Sequence, residues 1–104
     1  MDSEQKWRVA LGLVLRQMRQ DAEISQEGFA HHAHVTRLTV HSIERGAASI
    51  GFDRLVRFCE VLKVRPSTVL LQTEELVGSP ARLKKAVDQL ETERKRGRPR
   101  VVKK

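Results

Sequence analysis

Residues 37–45 carry a set of side chains suited to reading another molecule: Arg37, Leu38, Thr39, His41, Ser42 and Arg45. Wound as a helix, this stretch turns them outward, while Val40 and Ile43 mark an inward side. A helix with such an outer face fits the major groove of DNA, where donors, acceptors and methyl groups distinguish the base edges. Other constellations offer less. His31, His32, His34 and His41 invite a metal reading, but His31 and His34 straddle a helix end and no cysteine or carboxylate completes a ligand set. Cys59 is the single cysteine, which excludes an internal disulfide framework and any multi-cysteine metal site. On an apolar helix side it is expected to be a buried, inert thiol. Glu74-Glu75 reads as a solvated pair rather than an acid–base dyad, and Trp7 as a packing residue. The chain shows no nucleophile–base arrangement and no glycine loop that would cradle a phosphate. Enzyme activity, a metal and a cofactor are therefore not expected.

The elements that must position this face follow from apolar spacing. Trp7, Ala10, Leu11, Val14, Leu15 and Met18 predict a first helix over residues 6–20. Ser25 reads as the N-cap of a second, about 26–33, and Thr36 as the N-cap of a third, about 37–45, closed by Gly46. Gly51 opens a fourth, with Phe52, Leu55, Val56, Phe58, Cys59 and Leu62 inward. Pro66 starts a fifth, with Val69 and Leu70 inward. Residues 73–79 read as a linker. Ser79 and Pro80 begin a sixth helix over residues 80–94, whose stripe of Leu83, Ala86, Val87 and Leu90 must bury against its own domain or a second copy of the chain. No strand pattern of useful length occurs, so the expected class is all-α. A small residue, Ala30, stands where the second and third helices would touch, and Phe29, Val35, Val40 and Ile43 would fix their angle.

With these residues in place the chain resembles the Xre/Cro-like helix-turn-helix family of bacterial and phage repressors. The likeness covers about residues 8–72 and rests on Leu11-Gly12, Arg19, Ser25-Gln26, Phe29-Ala30, Val35-Thr36, Val40, Ile43-Glu44-Arg45-Gly46, Leu55, Leu62, Val64 and Val69-Leu70. It implies a five-helix lambda-repressor-like domain over residues 1–72. It also implies roles. Gln26 would contact a phosphate, and Arg37, Leu38 and Ser42 would read bases. Thr36 and Thr39 would meet phosphate or thymine methyls, and Arg45 would approach the backbone. Arg19 and Glu44 would form an inward salt bridge. Three positions depart from the family pattern: His34 at a turn usually held by glycine, Gly28 inside the second helix, and Ile50 in place of a proline.

The charge is unevenly placed. The chain carries a formal net charge of +7, with ten acids and ten bases in residues 1–80 and ten bases against three acids in residues 81–104. A basic tail after a neutral domain points to a polyanion, nucleic acid before membrane. Within residues 95–104, Lys95-Arg96-Gly97-Arg98-Pro99-Arg100 resembles the AT-hook. In that motif glycine lets the backbone lie deep in a narrow minor groove, proline keeps it extended, and arginines such as Arg96 and Arg98 follow the groove floor. Plain phosphate binding and a solubility tail are the alternatives. Beyond Arg94 no apolar periodicity survives, so the tail is expected to be disordered when free.

Together these features describe a cytoplasmic, nucleoid-associated bacterial regulator that binds double-stranded DNA as a homodimer, through the fifth helix, the stripe of the sixth, or both. Repression is the expected action, with no small-molecule effector. Two rivals stand beside it: an antitoxin-type adaptor that grips a small protein partner and autoregulates its operon, and an architectural binder of A/T-rich DNA. No apolar run is long enough for a membrane helix, and the opening residues do not form a secretory signal.

Overall fold

Six helices follow one another: α1 (Ser3–Asp21), α2 (Gln26–Ala33), α3 (Arg37–Glu44), α4 (Phe52–Leu62), α5 (Pro66–Val77) and α6 (Pro80–Val102). The structure, a computed structural model, describes the backbone of residues 1–102 and side chains through residue 93. Among the described residues there is no strand. α2 packs on α3 and α4, α3 on α1, α1 on α5, and α5 on α4 and α6. The core lies where these meet, around Leu15, Phe29, Val40, Ile43, Phe58 and Val69. Phe29 of α2 and Phe58 of α4 touch edge to face, with ring centroids 4.8 Å apart, a favoured geometry for aromatic pairs.

Side-chain caps set the helix starts. The backbone N–H of Gln5 donates to Asp2, that of Gly28 to Ser25 Oγ, and that of Thr39 to Thr36 Oγ1. The Asp2 cap places the start of α1 three residues before the 6–20 expected from apolar spacing. His34 closes α2 at φ 61°, in the left-handed conformation. Two glycines allow α1 to press on α3. A Cβ on Gly12 would lie 2.4 Å from the carbonyl oxygen of Ile43. Gly46, at φ 74°, lets the chain turn away after α3, where a Cβ would meet Val9 Cα at 2.7 Å.

Several expectations need correction. The linker over residues 73–79 does not exist in that form, because α5 runs to Val77 and only Gly78-Ser79 separates it from α6. Val69, Thr73 and Leu76 make one buried stripe, and the Thr73 hydroxyl satisfies itself by donating to the Val69 carbonyl. A polar residue inside the stripe hid the helix. Leu70 lies one position round from that stripe and is 45% exposed rather than inward. Phe52 is 75% exposed, since the buried stripe of α4 begins one turn later at Leu55. Trp7 is half in solvent, over a small hollow shared with Leu11, Ile50 and Leu70. α6 runs to Val102, past the end expected at residue 94, and Arg94, Lys95 and Arg96 are good helix formers at that point. Arg96, Gly97, Arg98 and Arg100, expected to enter a minor groove, lie outside the residues whose side chains are described. Of the sixth-helix stripe, Leu83 joins the domain's own core, and Ala86, Val87 and Leu90 are half-buried. Among the described residues, no helix is long and apolar enough to cross a membrane.

Candidate nucleic-acid interface

α3 divides its side chains cleanly. Val40, Ile43 and Glu44 are buried. Arg37 and Leu38 are exposed, Leu38 at 68%, and Thr39, His41 and Ser42 are half-exposed, as is Arg45 at the helix end. The single acid of α3, Glu44, points inward, so the outer face carries no carboxylate of its own. Thr36 is exposed at the N-cap, with its hydroxyl 2.9 Å from that of Thr39.

Glu44 is held by a polar network that runs from the core to this face. Arg19 donates to both of its carboxylate oxygens, through Nε to Oε2 at 2.6 Å and through Nη2 to Oε1 at 3.0 Å. Arg19 Nη1 also donates to the Ile24 carbonyl at 2.7 Å. Both partners of the pair are buried. Such a fork-to-fork contact fixes orientation as well as distance. Gln26 Nε2 donates to Glu44 Oε1 at 3.0 Å, and Arg37 Nη1 donates to Gln26 Oε1 at 3.3 Å. In the free protein the Gln26 amide therefore bridges the buried pair and the first residue of α3. The structure brings Arg19, Gln26, Arg37 and Glu44 into one chain of hydrogen bonds. It places Thr36, Leu38, Thr39, Ser42 and Arg45 beside that chain on α3 and its ends.

His41 stands between two cations. Its imidazole is pushed below the ordinary histidine range, first by burial and then by Arg45 and Arg37, with Glu44 pulling the other way. The neutral ring is thus favoured. Cys59, far from this face in the core, has its thiol pushed up by burial. Among the described residues no group of three or more His, Cys, Asp or Glu could hold a metal ion.

Sequence reasoning missed one part of the surroundings. A hollow of about 270 Å³ lies at the edge of the α3 face, and its wall includes Arg16 of α1 and Leu90 and Glu93 of α6 beside Gln26, His41 and Arg45. Arg16 Nη2 donates to Glu93 Oε1 across this edge. Nothing in the spacing of α1 marks Arg16, and only the path of α6 brings Glu93 to it.

The arrangement of α2, the left-handed turn at His34 and the outward face of α3 matches, over residues 10–71, the family described as helix-turn-helix domain. This chain belongs to the helix-turn-helix family. The solved structures similar to it agree. One structure of the clp gene regulator ClgR from Corynebacterium glutamicum is 26% identical, covers 66% of this chain and 90% of its own, and superposes with a TM-score of 0.64. A second ClgR structure, 24% identical, covers 84% of this chain and 93% of its own at a TM-score of 0.71, and speaks for the fold. The restriction-modification controller protein C.AhdI from Aeromonas hydrophila is 26% identical, covering 59% of this chain and 92% of its own at 0.58. No curated protein matches the chain. Within the helix-turn-helix frame, α2 and α3 are the two defining helices and α3 is the one whose side chains face outward.

Proposed function

We propose that this protein is a DNA-binding transcriptional regulator that works in the cytoplasm as a homodimer and represses by occupying its site. The observation that carries the reading is the outer face of α3. Arg37, Leu38, Thr39, His41 and Ser42 project there with no opposing acid, on a helix locked from behind by Arg19 and Glu44. On DNA, α3 enters the major groove. Arg37 donates to a guanine edge, Leu38 packs on a thymine methyl, and Ser42 reads a neighbouring edge. Gln26, at the start of α2, turns its amide to a phosphate, which the N-terminal end of the helix also attracts. Thr36, Thr39 and Arg45 meet the backbone on either side.

The basic run Lys95-Arg96-Gly97-Arg98-Pro99-Arg100 then unwinds from the end of α6 and lies extended in an adjacent A/T-rich minor groove, with Arg96, Arg98 and Arg100 along its floor. Two copies pair through α5, whose Leu70 and Leu71 are exposed, Leu70 beside Trp7 of α1. A two-fold axis sets the two α3 helices about 34 Å apart, one turn of DNA, and demands a palindromic site. The half-buried residues Ala86, Val87 and Leu90 extend that contact. The stripe of α6 is what a small protein partner would grip in an adaptor.

The test is selection from a random duplex pool with the full chain and with a chain ending at Glu93. Both should enrich one palindrome, and only the full chain should add A/T-rich flanks. Enrichment of A/T-rich DNA alone by the full chain, with nothing enriched by the shorter one, would overturn sequence reading by α3. A lone monomer in sedimentation at the concentrations used would remove the two-fold pairing.

A further inference from the structure

α6 is attached to its domain unevenly. Its first turns are rooted, with Leu83 buried in the core and Val87 packed against it. On the side facing α1, an open hollow of about 640 Å³ runs along α6 from Arg82 to Glu93, with Leu13 and Ala86 among its apolar wall and Gln17 and Gln89 among its polar one. Within the wall of that hollow the Arg16–Glu93 ion pair joins the two helices. The connection back to α5 is only Gly78-Ser79. The outer half of α6 is thus a strap, rooted at one end and tied at the other by a pair whose carboxylate is exposed. Exposed pairs are weak and screened by salt.

The tie lies at the edge of the surface assigned to DNA. Leu90 and Glu93 share a hollow with Gln26, His41 and Arg45. A duplex seated on α3 brings backbone phosphates to this edge. The Glu93 carboxylate repels them, while a phosphate offers Arg16 the planar, two-oxygen contact that a guanidinium favours. We propose that Arg16–Glu93 is a latch that holds α6 across the edge of the α3 face in the free protein, and that a duplex opens it by drawing Arg16 from the carboxylate to a phosphate. Opening frees the helix that leads into the chain's basic excess. Glu93 accordingly weakens binding to duplexes of every sequence. This inference rests on the DNA reading of α3.

Nitroxide labels at Gln17→Cys and Gln89→Cys report the width of the α1–α6 hollow by pulsed electron paramagnetic resonance. The native Cys59 is buried, out of reach of the labelling reagent. In the free protein one narrow, short distance is expected. Glu93→Gln should lengthen and broaden it without DNA, and saturating mixed-sequence duplex should do the same to the unaltered latch. Glu93→Gln should also bind that duplex about three- to tenfold more tightly, as the loss of one phosphate-repelling charge implies. Asp88→Asn makes the same charge change on the same helix, where Asp88 pairs with Lys84 at 3.6 Å, and should change affinity far less. Arg16→Gln should open the strap yet weaken binding. An unchanged distance in free Glu93→Gln, a closed distance on saturating duplex, or equal effects of Glu93→Gln and Asp88→Asn would overturn the latch. Failure of any duplex to bind would sink the DNA reading and the transfer of Arg16, while the free-state distances would still decide whether the latch exists.

Discussion

Arg16 and Arg19 stand one turn apart on α1, and each meets a glutamate from a distant part of the chain. Arg19 is buried with Glu44 of α3, gripped through two nitrogens, and further tied to the Ile24 carbonyl and to Gln26 through the shared carboxylate. Arg16 meets Glu93 of α6 through one nitrogen, with the carboxylate open to solvent. The chemistry is the same and the surroundings differ. A buried pair stripped of one partner leaves a charge without solvation, so it fixes structure. An exposed pair can open at little cost and exchange its partner, so it suits a contact that must yield. One arginine holds the α3 face in place, and its neighbour guards the edge of that face.

The sharpest way to break this comparison is Glu44→Gln. It should cost about 3–5 kcal/mol of stability, read as a lowered midpoint in denaturant, because Arg19 is left charged and unpaired in the core. A loss no larger than that of a surface change would mean that the buried pair does not hold α3. Next in size is Arg37→Ala, which should leave the fold intact and remove about 1–3 kcal/mol of binding to the selected site. That loss should be concentrated at one base step; an equal loss on unrelated duplexes would make Arg37 a phosphate contact. Glu93→Gln should change unfolding stability by less than about 1 kcal/mol, in contrast to Glu44→Gln, as expected of an exposed pair. A large loss would make α6 part of the structural core rather than a strap.

The smallest effect concerns pH. Burial, Arg45 and Arg37 hold His41 below the ordinary histidine range in the folded protein. The unfolded chain therefore binds the proton first as pH falls through about 6.5. The contribution to stability is fully present above that range and declines as pH drops toward the folded value. Phosphates favour the imidazolium, so in an NMR titration the His41 ring should move to a higher pKa when duplex is added. A His41 titration that does not respond to bound duplex would place the DNA elsewhere.

Most of the helix-turn-helix was legible in the sequence because its signals are local. Ser25 and Thr36 cap α2 and α3 where side-chain chemistry says they should, and α2 has the bounds expected of it. His34 takes the left-handed turn in place of a glycine. What escaped depended on contacts between distant segments. Thr73 looked like the end of a helix because its burial depends on a hydrogen bond to its own backbone. Leu70 and Phe52 looked inward because a stripe read from spacing has no sharp edge until neighbouring helices set one. The Arg16–Glu93 contact spans 77 positions and has no local signature at all.

DNA binding is assigned above to the outer face of α3. Backbone amide NMR of the labelled full chain, titrated with the duplex enriched by selection, tests it most directly. The largest shifts should fall at Gln26, at residues 36–45 and at Arg16, with Arg57 and Lys63 on α4 and its end unmoved. Shifts centred on α4 and α5, with α3 silent, would contradict it.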